Sequence, residues 1–332
     1  MTVPVAPVPR LEAGGTLAIV SPSGPLASLY PERLQRGITA LKDLGYSVVE
    51  MPNARKMARY TAGTVNERAS DMHEAFSDKG IDAIICSIGG RLSSQLLNHL
   101  DFDLIADNPK PFCGSSDATS LHAAFYAKCR FTTFYGPSVM ANWAELPGPP
   151  GYLIHSFVNA VSGTNATGTL VMPDYEVTEY IDWSIDRVRS SSAVPAMRFI
   201  GDSEVEGPLF IGCLPVLCEL VGTPWLPDLR GHLLLVEMPP APYSPAQAAS
   251  DLQHLLNAGV LNWVSGLLMG RPHLGLLAHD YSAVIREVAH GLHLPLLINV
   301  PVGHIHPTAT LAQGVLASIG PAGLKLLGTG VM

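Results

Sequence analysis

Charge is scarce in this chain, and what there is leans acidic. Only 14% of the 332 residues are Asp, Glu, Lys or Arg, and the formal net charge is -8. No basic run occurs, which argues against a nucleic-acid partner, because gripping a phosphate backbone takes clustered Lys and Arg. Cysteine is equally thin. Cys86, Cys113, Cys129, Cys213 and Cys218 are odd in number, lie mostly inside apolar segments and show no CxxC or His/Cys spacing. They read as reduced core residues of a cytoplasmic protein. Apolar runs are strand-length and interrupted, far short of a bilayer span, and Met1 to Arg10 has no basic start followed by an apolar core. Neither a signal peptide nor a membrane partner is expected. With no P-loop, GxGxxG or zinc spacing, no cofactor and no metal are expected either.

What is present is apolar. Hydrophobic residues make up 47% of the chain, enough for two cores at this length. Gly15 to Val20 reads as a strand ending in a Ser/Pro/Gly loop, and Leu34, Ile38 and Leu41 follow at helical spacing. Tyr46 to Met51 is a second strand. A helix capped by Asn66 then carries Ala69, Met72, Ala75 and Phe76, and Ile81 to Ser87 is a strand apolar enough for burial on both faces. The alternation continues with a helix over Ser93 to Leu100, a strand over Pro111 to Gly114, a helix over Asp117 to Cys129 and a strand over Thr132 to Tyr135. Strands separated by helices predict an α/β fold with a parallel, doubly wound sheet, whose ligands bind beyond the carboxyl ends of the strands.

The turn-rich run Leu146 to Gly151 marks a boundary. The expected organisation is a first domain over 1–150, a more polar crossing segment over 151–205 with few clear periods, and a second domain over 206–332. In that last part, strands are expected at Pro208 to Gly212, His232 to Glu237 and Val264 to Met269, with helices between them.

One stretch has the form of a nucleophile turn. Phe112 to Gly114 is apolar, Ser115-Ser116 is small, and a helical pattern starts at Asp117. A serine at such a bend holds its hydroxyl clear of the backbone, and the first N–H groups of the following helix point at any negative charge forming beside it. The plainer reading is a Ser-rich loop with Asp117 as a helix N-cap.

A nucleophilic serine needs a base, and the base needs an orienting acceptor. Among the twelve histidines, His304 is best placed, on a Gly/Pro-shaped loop after an apolar strand, and His306 is its close rival. His122 lies one to two turns into the helix from Ser116 and is more often simply a helix residue, while His273 could equally line a cleft or sit in solvent. Glu237 ends the run Leu233 to Val236, where a charge must be paired or lie at the solvent edge. Gly89-Gly90 follows the third strand and lets backbone approach a ligand closely, although a Gly pair there is usually only a turn. Trp183 could stack on a planar ligand group or simply pack at a domain edge.

Several of these segments together resemble one family, the serine peptidases of the LD-carboxypeptidase type, including the microcin C immunity peptidases. The similarity is carried by Ala62-Gly63-Thr64 with Glu67-Arg68-Ala69 and Asp71, by Gly89-Gly90 with Ser93 and Gln95, and by Asn108-Pro109-Lys110-Pro111 running into Gly114-Ser115-Ser116-Asp117. Later come Gly222-Thr223-Pro224, the strand ending in Glu237, and Gly303-His304 with Pro307. The resemblance implies a flavodoxin-like N-terminal domain, a smaller α/β C-terminal domain and a homodimer.

It further implies Ser116 as nucleophile, preferred to Ser115 by the family's Gly-x-Ser-Asp, with His304 as base, Glu237 as its orienter, and the N–H groups of Gly90 and Asp117 as the oxyanion hole. Gly89, Ser115 and Trp183 would contact substrate. Departures concentrate around the pocket: Ser115 stands where relatives carry an aromatic, Leu92 to Ser94 replaces an Asn-rich stretch, and Cys213 replaces an Asn. The Trp183 and Gly222-Thr223 segments favour the microcin-immunity branch, which cleaves an amide of an aminoacyl or peptidyl nucleotide. Removal of D-alanine from a muropeptide, acyl transfer by a repurposed pocket, and non-hydrolytic binding of a peptide-nucleotide are the alternatives.

Overall fold

The computed structural model describes residues 5–332. Its first sheet has the order Leu311–Ala312, Phe134–Tyr135, Phe112–Gly114, Ala83–Cys86, Thr16–Val20, Ser47–Glu50. The last five run parallel. Taken in chain order they are the 2-1-3-4-5 arrangement of flavodoxin-like folds, whose ligand crevice opens where the winding reverses. That reversal lies between the strands Thr16–Val20 and Ala83–Cys86. Ala83–Cys86 is buried along its whole length, as a parallel strand covered on both faces must be. Beneath it Phe112 and Phe125 meet edge to face at 5.3 Å, and Phe76 packs on Phe125 at 5.5 Å.

The second sheet has four parallel strands at its centre, Val205–Cys213, Leu233–Glu237, Gly266–Gly270 and Leu296–Val300, with antiparallel strands on both edges. The chain is therefore the expected α/β protein with two sheet domains. They are tied by the return of Leu311–Ala312 to the first sheet, antiparallel to Phe134–Tyr135. The next residue, Gln313, gives its backbone N–H to Thr133 O at 2.8 Å while its buried side chain bonds both the N–H and the C=O of Ile211, at 2.8 and 2.7 Å. One amide thus stands in for a strand neighbour on the second sheet, leaving no polar group of Ile211 unmet.

Some local expectations change. The helix Val65–Ser77 is capped not by Asn66 but by Thr64, whose hydroxyl accepts from Glu67 N while the Glu67 carboxylate returns to Thr64 N at 2.8 Å. This is the reciprocal capping box, and it wins because it satisfies two end donors at once. Within 151–205 a twelve-residue helix, Gly151–Ser162, buries Leu153, Phe157, Ala160 and Val161. That helical period is present in the sequence but starts straight after a Pro/Gly run that reads as a turn. The expected helix over Ser93 to Leu100 is a 3₁₀ turn, Ser93–Asn98. Among the described residues no helix is long and apolar enough to cross a membrane.

Candidate active site

Ser116 lies one residue beyond the end of the strand Phe112–Gly114, after Ser115, and opens a 3₁₀ turn that leads into the helix Thr119–Ala124. Its φ is +62°, in the left-handed region that L-residues avoid. Such a conformation costs about 1–3 kcal/mol and persists only where its surroundings over-determine it. Here they do. The Ser116 N–H donates to Tyr135 Oη at 2.8 Å. Its neighbour Asp117 turns its carboxylate inward rather than capping the helix. There it accepts from Ser93 N at 2.8 Å and from the Ser23 hydroxyl, while Ser93 Oγ donates to Asp117 O at 2.6 Å. Burial pushes the Asp117 carboxyl up from its ordinary value, opposed by those hydrogen bonds and by the Arg68 charge. Loops from the first, third and fourth strands are thereby pinned to one point, the switch crevice of the sheet.

Gly89 and Gly90 form the facing wall. A Cβ on Gly89 would lie 2.9 Å from Ser116 Cβ and 3.1 Å from its Oγ, and one on Gly90, whose φ is +143°, would lie 2.6 Å from Gly24 N. Only glycine permits this approach. Among the described residues neither the Gly90 nor the Asp117 N–H has an acceptor.

His304 reaches this point from the second domain. Its Nε2 is 3.0 Å from Ser116 Oγ and its Nδ1 is 2.6 Å from Glu237 Oε2. Glu237 ends the strand Leu233–Glu237 with no exposed surface. Its other oxygen, Oε1, accepts from Tyr135 Oη at 2.7 Å. Burial pushes the Glu237 carboxyl up, but His304, the Tyr135 hydroxyl and, beside it, the Cys213 thiol together hold it below its ordinary value. The Tyr135 phenol is driven the other way by burial and by the Glu237 charge, so it remains a donor. Ser116, His304, Glu237 and Tyr135 close a ring: hydroxyl, imidazole, carboxylate, phenol, and back to the serine amide. Chemically, a hydroxyl in line with an imidazole that is itself anchored on a carboxylate can lose its proton as it attacks a carbon.

Tyr135 escaped the sequence reading because an aromatic ending an apolar strand looks like core. Its signal is its place, since Tyr135 is the parallel register partner of Gly114, two residues before Ser116.

The structure also places the remaining candidates. A cavity of about 640 Å³ is lined by Gly89, Gly90, Ser115, Ser116, Trp183 and His304, and by His273 and His306 as well. Neither of those two histidines hydrogen-bonds to Ser116, and burial holds each down at about 4. One face of Trp183 is covered by the Arg33 guanidinium at 4.3 Å, and Tyr30 packs on it edge-on at 5.8 Å. His122 is fully buried, with Nδ1 2.7 Å from Thr133 Oγ1 and Nε2 3.0 Å from Gly114 O. It braces the carbonyl of Gly114, the last residue of that strand before the Ser116 turn. Among the described residues no cluster of three or more His, Cys, Asp or Glu is arranged to hold a metal ion.

Residues 17–136 match the LD-carboxypeptidase N-terminal domain and residues 206–319 the LD-carboxypeptidase C-terminal domain. The microcin C7 self-immunity protein MccF of Escherichia coli is 30% identical over 93% of this chain and 91% of its own length. A probable murein peptide carboxypeptidase of Bacillus subtilis is 26% identical over 94% and 91%. Among solved structures, MccF in complex with aspartyl sulfamoyl adenosine superposes with a TM-score of 0.89 at 29% identity, over 99% of this chain and all of that one. A MccF-like protein from Streptococcus pneumoniae in complex with AMP gives 0.85 at 27%, over 94% and 98%.

The buried histidine under the strand Phe112–Gly114 sets a pH dependence. Burial lowers His122 to about 4, whereas in the unfolded chain it titrates near its ordinary value of about 6.5. Between those values the unfolded chain binds the extra proton, so stability falls as pH drops from 6.5 toward 4. The melting temperature is expected to decline across that window, and to decline less in His122→Gln, which keeps a donor for Gly114 O. Equal slopes in the two proteins would contradict this.

Proposed function

The chain belongs to the LD-carboxypeptidase family of serine peptidases, and on that premise we propose that Ser116, His304 and Glu237 form its catalytic triad, hydrolysing an amide through an acyl-enzyme. The observation that carries this reading is the unbroken hydrogen-bonded path from Ser116 Oγ through His304 to a carboxylate with no exposed surface.

Ser116 Oγ attacks the carbonyl carbon as His304 Nε2 takes its proton. The oxygen that becomes negative is met by the Gly90 and Asp117 N–H groups. The C–N bond then breaks, His304 returns the proton to the leaving nitrogen, and an ester remains on Ser116. Water attacks the ester, its proton passing to His304 and then to Ser116 Oγ as the acid departs. Glu237 keeps the Nδ1 proton turned away from the serine and stabilises the imidazolium. Tyr135 fixes the carboxylate that does so. In this scheme residues 1–150 carry the nucleophile, 151–205 cross over, and 206–332 bring Glu237 and His304, in a cytoplasmic homodimer like that implied by the family.

For the substrate we infer an aminoacyl or peptidyl nucleotide. The cavity beside Ser116 and Trp183 has a volume suited to such a molecule, and relatives have been solved with aspartyl sulfamoyl adenosine and with AMP. Cleavage of a murein peptide is the second reading, supported by the Bacillus subtilis relative.

Hydrolysis of an aspartyl-nucleotide amide and of a murein tetrapeptide, followed side by side, separates the two. On the active substrate Ser116→Ala is expected to lose turnover with an unchanged melting temperature; ordinary activity in that variant would sink the triad. Tyr135→Phe strips one hydrogen bond from a buried charge and is expected to lower kcat by about tenfold to a hundredfold with KM little altered. Unchanged kcat would show that the phenol does nothing for Glu237.

A further inference from the structure

Away from Ser116, the cavity wall carries charge that the hydrolytic scheme leaves unused. Glu145 is buried and shared by two guanidiniums: Arg33 donates to Oε1, and Arg189 Nε donates to Oε2 at 2.8 Å. Arg33 lies deeper, spent on Met140 O at 2.8 Å and on the face of Trp183. Arg189 is at the cavity surface, where beyond Glu145 it makes only a long contact, 3.4 Å, to Glu179 O. Two cations against one anion leave this wall with one positive charge in excess.

No other carboxylate nearby is paired with Arg189. The Glu179 carboxylate is taken up by Arg187 and by Ser190 N, and Glu237 is occupied by His304 and Tyr135. Beside Arg189 sits His306. Its Nδ1 is buried without a partner, while Nε2, also without a protein partner, reaches the cavity. A buried N–H left unpaired is rarer than an unpaired acceptor, so the proton belongs on Nε2, where it presents a donor to the cavity. Burial, helped by the Arg189 charge, keeps both His306 and His273 neutral at ordinary pH.

We propose that Arg189 and His306 form an anion subsite that holds a phosphoryl or carboxylate group of the substrate. The shared chemistry is a charged oxygen group meeting a forked guanidinium and a neutral N–H donor, the arrangement that suits phosphate and carboxylate alike. The proposal rests on the reading of Ser116 as the hydrolytic centre only in taking the ligand to be that site's substrate. It supplies a specificity element in a pocket whose wall also carries Ser115. The phosphoryl group of an acyl-nucleotide and the terminal carboxylate of a murein peptide are the two sources.

Calorimetric binding to the full-length Ser116→Ala protein distinguishes them without consuming ligand. Two matched pairs serve as probes: AMP against adenosine, and a D-alanine-terminated murein tetrapeptide against its C-terminal carboxamide. In at least one pair the anionic member is expected to bind about tenfold or more tightly than its neutral partner. Adding Arg189→Gln should erase that preference while leaving the neutral member's Kd within about twofold, and Arg189→Lys should keep part of it. Preference in the AMP pair identifies the phosphoryl source, and preference in the peptide pair the carboxylate. The melting temperature of each variant checks that Glu145, still paired with Arg33, holds the wall in place. No preference in either pair, equal weakening of both members by Arg189→Gln, or no binding of either anion would each overturn the subsite. Such a result would leave the loss of turnover in Ser116→Ala standing, so the two failures are distinguishable.

Discussion

A carboxylate with no exposed surface must be met by donors on every side, because an ionised group stranded in a protein interior costs far more than a typical side-chain contact returns. Glu237 is such a group, and its donors come from two sheets. His304 arrives on the loop after the strand Leu296–Val300, and Tyr135 ends a strand of the other sheet. The requirement to satisfy one carboxyl group therefore fixes the register between the halves of the molecule at the place where the cleft lies. The same constraint explains Gly303 and Gly270, since a Cβ on either would come within 2.9 Å of Glu237 Cβ. It also reaches the serine. The phenol that donates to Glu237 accepts from the Ser116 N–H, so the carboxylate and the left-handed turn are held by a single side chain.

Much of this was legible in the amino-acid sequence, and what was legible was periodic or punctuated. Apolar strands alternating with helical patterns revealed the parallel sheet, and the small residues at Ser115-Ser116 marked the bend. Family resemblance then linked Ser116 with Glu237 and His304 across more than a hundred residues, a connection that no local pattern carries. The illegible parts depend on tertiary partners. Tyr135 reads as core until its register with Gly114 is known. Arg189 sits in a polar stretch without periodicity, and its significance comes from Glu145 and Arg33, each far away in the chain. The helix Gly151–Ser162 has a regular buried face, Leu153 to Val161, but the prolines just before it masked its start.

The positions at which the resemblance implies a departure from the family, Ser115 and Cys213, now have surroundings. Cys213 pairs in register with Glu237 and gives its N–H to Thr119 Oγ1 at 2.9 Å, so its thiol is packed against the carboxylate rather than presented to the cavity. Ser115 lines the cavity. A cavity whose wall carries Ser115 and Arg189 thus lies beside a closed ring of hydrogen bonds around a buried carboxylate.

The central claim is that the ring makes Ser116 nucleophilic. Peptide mapping by mass spectrometry after treatment of the intact protein with a serine-reactive fluorophosphonate tests it directly. The predicted result is a single adduct on Ser116 that is lost in His304→Ala. An adduct on Ser115 or another residue, labelling that persists without His304, or no adduct would contradict the account.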